Sequence, residues 1–252
     1  MNENPLIKHF TSLASDLIKN TDSGKRSENG FHPNRELFKH EKYFYDCFQG
    51  MGTIHTLMRQ LDQSAVFFAN FRSTKSMKKL DINRFDHMVY HLESYVLRIT
   101  GILDRLLIFV NQVIGLGLED ASCKPHMMLT GKNGKIGPVT SRVKAIGGLF
   151  ESLVSVRSFV DKYREQRNEV AHSNRWEAQD MRRIEMLHIV LSKTEDPEIL
   201  EREFIIKRET DLKMWEYKAQ MINSTEKLKT LVADVFAILL VCFDDKYNSL
   251  KN

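Results

Sequence analysis

The chain has 252 residues, of which 42% are hydrophobic, and carries a net charge of +4 with a pI near 8.8. That is enough for one large domain or a domain with a helical extension, and the mildly basic balance permits a nucleic-acid partner without demanding one. Only 12 glycines and 5 prolines argue against an all-β fold built on tight turns, and three scattered cysteines without a C-x-x-C argue against a zinc cluster or a disulfide framework.

In chain order, Pro5 to Lys19 is expected to form a first helix, with Leu6, Phe10, Leu13 and Leu17 on one face. Thr21 to Pro33 is polar, contains two glycines and reads as a linker. A second helical region begins near Asn34 and carries an aromatic and aliphatic stripe from Phe38 to Phe71, with Gly50 and Gly52 as candidate kinks. Its period favours core packing over a base-stacking surface. Arg72 to Lys79 is a basic turn. Asp81 is placed to cap a long helix from about Ile82 to Leu118, whose apolar residues run from Phe85 through Leu92, Ile99 and Leu106 to Ile114.

Glu119 to Pro138 reads as a loop, with a short hairpin signal at Asn133-Gly134. Thr140 or Ser141 is expected to cap a helix running from Val143 to Val160, within which Gly147-Gly148 suggests a close helix contact. Ser173 or Asn174 is a candidate cap for a helix through Met181 and Leu191, Asp196-Pro197 opens a charged segment, and a last helix spans roughly Asp211 to Asn248. The N-terminus has no basic region followed by an apolar core, and the apolar runs fall far short of the ~20 residues of a membrane span, so a soluble, cytoplasmic protein with free thiols is expected. There is no Gly-rich phosphate loop and no Gly-x-Ser-x-Gly elbow, and His87 and His91, although i and i+4, lack the acidic base of a zincin pattern. No metal or cofactor is called for.

The informative stretch is Tyr163-Arg-Glu-Gln-Arg-Asn-Glu-Val-Ala-His-Ser173, between two helical segments. Arg167 and His172 are the chemically useful pair. Arginine stays charged and grips phosphate oxygens two at a time, whereas histidine titrates near neutrality and moves protons. Spacing alone is a weak signal, since Arg35–His40 and Arg183–His188 repeat it; only at Arg167 does Asn168 follow directly. On a straight helix Arg167 and His172 stand about 140° apart, while Asn168 and His172 share a face. Asn168 is therefore expected to orient His172 or bind backbone, Arg164 to add a phosphate contact, and Glu93 on the long helix to position the pair. From Arg142 to Arg183 there are nine basic and six acidic residues, which suggests a local cleft and not an extended basic face.

The string Arg167-Asn168-Glu-Val-Ala-His172 resembles the Arg-x4-6-His signature of the HEPN superfamily. The resemblance implies an all-α, HEPN-like helical bundle with long antiparallel helices over residues 81–252, preceded by an N-terminal helical extension over residues 1–80. It implies metal-independent cleavage of RNA by a homodimer in which two motifs face each other, with Arg167, Asn168 and His172 as catalytic residues. A role in a defence or toxin-type system, with a cognate inhibitor protein as partner, is compatible with it. The alternative the same family offers is a non-catalytic module that binds a nucleotide or a partner protein.

Overall fold

The computed structural model describes residues 4–20, 37–80, 82–130, 136–173, 179–201 and 203–252, with the backbone alone for 18–20, 172, 173, 179, 180 and 192. Among them are ten α-helices and no strand: α1 (Pro5–Asn20), α2 (Lys39–Ala69), α3 (Lys75–Lys79), α4 (Arg84–Ile114), α5 (Pro138–Lys144), α6 (Leu149–Val160), α7 (Arg164–Ser173), α8 (Gln179–Lys193), α9 (Pro197–Glu201) and α10 (Glu203–Lys251). The fold is all-α, as the helical periodicity and scarcity of glycine and proline require. The linker at 21–33, the caps at Asn34, Asp81 and Asn174, the side chain of Ser173 as the alternative cap, and the hairpin at Asn133-Gly134 lie outside the described residues.

The chain forms two compact units, one of residues 1–56, 102–158 and 228–252, the other of residues 57–101 and 159–227. In the first, α2 runs antiparallel to α4. Tyr43 donates to the carbonyl of Val113 (2.8 Å), and one turn and more along, Gly50 faces Phe109 and Gln112 so closely that a Cβ would crowd the Phe109 ring and displace the end of the Gln112 side chain. Glycine at 50 is thus a close-approach residue inside a continuous helix, and α2 does not break there. Phe10 and Leu6 seat α1 on this core, with the Phe10 ring against Phe243 (4.4 Å), Phe44 (5.8 Å) and Phe109 (6.5 Å). His9 adds a 2.8 Å pair to Asp244.

Helix α4 begins later and ends earlier than the expected span from Ile82 to Leu118, for reasons of capping. Asn83 Oδ1 accepts from the amides of Phe85 (2.7 Å) and Asp86 (3.1 Å), while Asp86 returns a carboxylate to the Asn83 amide (2.9 Å). This reciprocal box satisfies the donors that open the helix. At the other end Gly115 adopts φ +67°, the amides of Gly115 and Leu116 both bond back to the Asn111 carbonyl, and Arg142 donates to the carbonyls of Gly115 and Leu116. The left-handed residue ends α4 four positions before Leu118.

The single helix expected from Val143 to Val160 is two. Gly148 has φ +78° and separates α5 from α6, so Gly147-Gly148 is a break, and the close approach of Ile238 to Gly148 comes with it. Helix α5 starts at Pro138, with Gly137 as its cap residue. Thr140 does not cap it, being fully buried and donating to the Met127 carbonyl (3.0 Å).

In the second unit the antiparallel sense of α2 and α4 continues, with Arg98 bonded to Gln60 (3.3 Å) and His87 to the carbonyl of Phe67 (2.7 Å). Helix α10 runs parallel to α4. Arg84 pairs with Asp211, and Tyr95 Oη donates to the Met221 carbonyl (3.0 Å) and meets Thr225 Oγ1 (3.1 Å). Burial raises the Tyr95 phenol well above its ordinary range, so it stays a neutral donor. Helix α10 is continuous from Glu203, about two turns before Asp211. Its charged first turns still bury Ile206, Thr210 and Met214 at i, i+4, i+8, which is the reason they are helical.

Histidines in this unit carry a pH dependence. Burial, then the neighbouring His87 and Arg98, hold the His91 imidazolium down at about 4, and burial lowers His188 as well. Well above pH 6.5, the ordinary histidine value, folded and unfolded chains are both neutral at His91 and no stability is lost there. As pH falls from 6.5 toward 4 the unfolded chain takes up protons that the folded chain refuses, so stability declines through that window and levels off below it. The urea midpoint of the wild type is expected to fall between those pH values, and His91→Asn to flatten part of the decline. An unchanged slope in the variant removes His91 from the account.

Candidate functional site

Helix α7 holds the motif, and its placement follows from two apolar anchors two turns apart. Tyr163, in the 3-10 turn Asp161–Tyr163 that leads into α7, sets its ring 5.9 Å from Phe159 and 6.5 Å edge-on from Tyr95, and its hydroxyl donates to Ser224 (2.6 Å). Val170, seven residues on and so on the same side of the helix, is buried. Gln166, between them, is half-buried. The opposite side is polar: Arg164, Glu165, Asn168 and Glu169 are all exposed. Helical geometry puts Arg164, Asn168 and position 172 in one i, i+4, i+8 row along it.

Arg167 is exposed at the flank of the buried side and donates from Nη1 to Asn168 Oδ1 (3.2 Å). The bond the structure gives Asn168 is therefore to the arginine. Arg164 pairs with Asp161 at 2.8 Å, one turn back. Both partners are partly solvated, and such a pair contributes under about 1 kcal/mol, so a phosphate can compete for Arg164. Glu93 lies half-buried on α4, two residues before Tyr95. His172 is in the last turn of α7; its side chain lies outside the described residues. Because α7 is helical through Ser173, positions 167 and 172 stand about 140° apart on one helix. The structure brings together Arg167 with Asn168 and Arg164 with Asp161, and one copy of α7 does not bring positions 167 and 172 to one face.

The two other Arg-x4-His pairs have different surroundings. Arg183 is bonded to Glu209 (3.1 Å), and His188 is half-buried, bonded to Thr210 (3.0 Å) and packed on Phe85. His40 lies stacked on Phe38 and edge-on to Tyr247; Arg35 is outside the described residues. A cleft of about 260 Å³ lined by Arg183, Ile184, Leu212 and Lys213 also contains Glu209 and Glu216, which pair with its cations. Sequence reasoning missed Tyr163 and Ser224 as the anchor of the motif helix. The signal present was the seven-residue spacing of Tyr163 and Val170, on the side away from Asn168.

That anchor has a measurable consequence. Tyr163→Phe keeps the ring but removes the bond to Ser224. It is expected to cost about 1 kcal/mol of stability and to raise amide exchange across α7 more than elsewhere. Uniform exchange rates across wild type and variant would mean that α7 is held by Val170 alone.

Among the described residues no group of three or more His, Cys, Asp or Glu is placed to hold a metal ion, and no helix is long and apolar enough to cross a membrane. No curated protein and no solved structure gives a significant match to the chain. The Cthe2314-like HEPN family model matches residues 51–245, a span that contains α4, α6, α7 and α8 entire and most of α2 and α10. With the Arg167-Asn168 pair exposed on a short helix of an all-α fold, and more than half of the sequence matched by that family, the chain belongs to the HEPN superfamily.

Proposed function

We propose that the protein is a metal-independent endoribonuclease acting as a homodimer. The observation that carries this is that Arg167 and Asn168, the first two residues of the Arg167-Asn168-x3-His172 string, are both exposed on α7 and already hydrogen-bonded to each other. RNA supplies its own nucleophile. His172 takes the proton of the 2′-hydroxyl as that oxygen attacks the adjacent phosphorus, and as imidazolium returns a proton to the departing 5′-oxygen. Arg167, permanently charged, binds the phosphate oxygens while negative charge builds on the phosphorane. Asn168 fixes the guanidinium through the bond it accepts. The products are a 2′,3′-cyclic phosphate and a 5′-hydroxyl.

Two positions 140° apart on one helix do not face one phosphate from the same side. A two-fold arrangement of two copies, each lending Arg167 to the other's His172, resolves this and accounts for the homodimer. The same angular separation favours the second reading, a non-catalytic HEPN module that binds a nucleotide or partner protein through Arg167 and Arg164. The deciding experiment is cleavage of end-labelled RNA in excess EDTA. Cyclic-phosphate ends that disappear with 2′-deoxy substitution at the cut support the nuclease, whereas saturable nucleotide binding without cleavage supports the module.

A further inference from the structure

Five rings form a connected cluster where α2 ends and α4 begins. Phe71 lies 5.3 Å from His87, His87 lies 4.4 Å from His91, and His91 carries Phe67 at 6.0 Å and Tyr90 at 5.2 Å. The outer members do not belong to the core. Phe68 and Met88, at most 1% exposed, hold the two helices in place, while Phe67 is 52% and Tyr90 65% exposed. The imidazoles are set by the fold: His87 Nε2 donates to the Phe67 carbonyl, and His91 is held neutral above about pH 4. Fixed, partly exposed rings have faces available for stacking.

The segment that leaves this cluster at Phe71 and returns to it at His87 contains Arg72, Lys75, Lys78 and Lys79. All four are exposed, and no acidic residue occurs between Arg72 and Leu80. The nearest described carboxylate along the chain, Asp86, is engaged by the Asn83 amide. Asp81 lies outside the described residues. Rings at both ends of a segment whose first nine residues, Arg72 to Leu80, carry four cations and no carboxylate fit a ligand with flat bases and a phosphate backbone.

The geometry points to this surface, Phe67, Tyr90 and His91 with Arg72, Lys75, Lys78 and Lys79, as a binding site for single-stranded RNA, distinct from Arg167 and His172. Duplex RNA hides its base faces, so the platform selects unpaired strands. The site stands one helical turn from Tyr95 along α4, about 6 Å of rise, and the Tyr95 ring abuts Tyr163 at the head of α7. The inference takes RNA as the substrate class from the proposed function, and its test is independent of cleavage.

The probe is a short 2′-O-methyl single strand, which lacks the attacking hydroxyl, and the same strand with abasic sites, both followed by fluorescence anisotropy with the full chain. The wild type is expected to prefer the base-bearing strand. Phe67→Ser and Tyr90→Ser, at exposed positions, are each expected to lose roughly ten- to hundred-fold in affinity for it and to approach the abasic value. Changing Lys75, Lys78 and Lys79 to Gln is expected to weaken both strands and flatten the salt dependence by about 0.7 per cation removed. Equal affinity for base-bearing and abasic strands, serine variants that bind like the wild type, or no binding at all each overturn the proposal. Loss in the glutamine variant alone overturns it too, and marks a polyanion dock for another class of partner. The nuclease reading is decided separately, by cleavage of unmodified RNA, so either can fail without the other.

Discussion

Mixing two inactive variants is expected to restore cleavage. Alone, His172→Ala loses the proton-transfer group and is expected to fall by about 10²–10⁴-fold. Arg167→Ala loses the charge that stabilises the phosphorane and is expected to fall by about 10²–10³-fold. The double variant should be little worse than the weaker single one, because groups that act on one transition state are not additive. The geometry of α7 adds a sharper expectation. If each active centre takes Arg167 from one copy and His172 from the other, a dimer of one Arg167→Ala and one His172→Ala chain has one centre with both residues intact and one with neither. Random reassortment then returns roughly a quarter of wild-type activity under two-fold symmetry. A centre built within one chain returns none. The measurement is the initial rate of cyclic-phosphate formation after denaturing and refolding the variants together, with size-exclusion chromatography to show that dimers form. Rescue fixes the composite centre. Two singly inactive variants without rescue leave a catalytic motif confined to one chain, and singles that cleave like the wild type remove Arg167 and His172 from the mechanism.

The helical class, the long α4 and the motif string were legible because each rests on a periodic or local signal. The apolar stripe of α4 survives nearly intact, from Phe85 to Val113 in the buried set. Its ends were not legible to the residue. Asp81 and Asn83 are both good cap types, and which of them opens the helix depends on Asp86 returning its carboxylate to residue 83. Gly147-Gly148 was ambiguous for a related reason. Glycine serves close packing and left-handed turns equally well, and only φ +78° at Gly148 separates the two.

Exposure was the deeper difficulty. Phe67 and Phe68 are adjacent, and so equivalent to a helical-period argument that counts apolar residues; one is buried completely and the other half exposed. A stripe read as core from Phe38 to Phe71 therefore contained the outward ring of the platform. The three Arg-x4-His strings show the converse. Their spacing is identical, yet Arg183 is consumed by Glu209 and His188 by Thr210, both distant in sequence, whereas Arg167 bonds its neighbour Asn168. Such pairings depend on α8 meeting α10, which no local pattern encodes.

Phe243→Ala is expected to have the largest effect on stability. The ring is fully buried and is the common neighbour of Phe10 (4.4 Å), Tyr43 (5.3 Å, stacked), Tyr247 (5.5 Å, stacked), His9 (6.1 Å) and Phe44 (6.4 Å). Truncation removes the transfer energy of the ring and leaves a cavity between three helices, a loss of about 3–5 kcal/mol for buried phenylalanines. Whole domains are stable by about 5–15 kcal/mol, so this is a large fraction. Part of the loss should be local. Helix α1 is held by Leu6 and Phe10, and the closest ring to Phe10 is Phe243. Without it, α1 is expected to undock before the unit unfolds, with faster proteolysis near Phe10 at denaturant concentrations where the α10 signal is unchanged. Phe38→Ala is the control: that ring is 61% exposed, and its removal is expected to stay within about 0.5 kcal/mol. A midpoint shift for Phe243→Ala no larger than the control's would mean that the neighbouring rings close over the gap, and that α1 is seated by Leu6 and the His9–Asp244 pair instead.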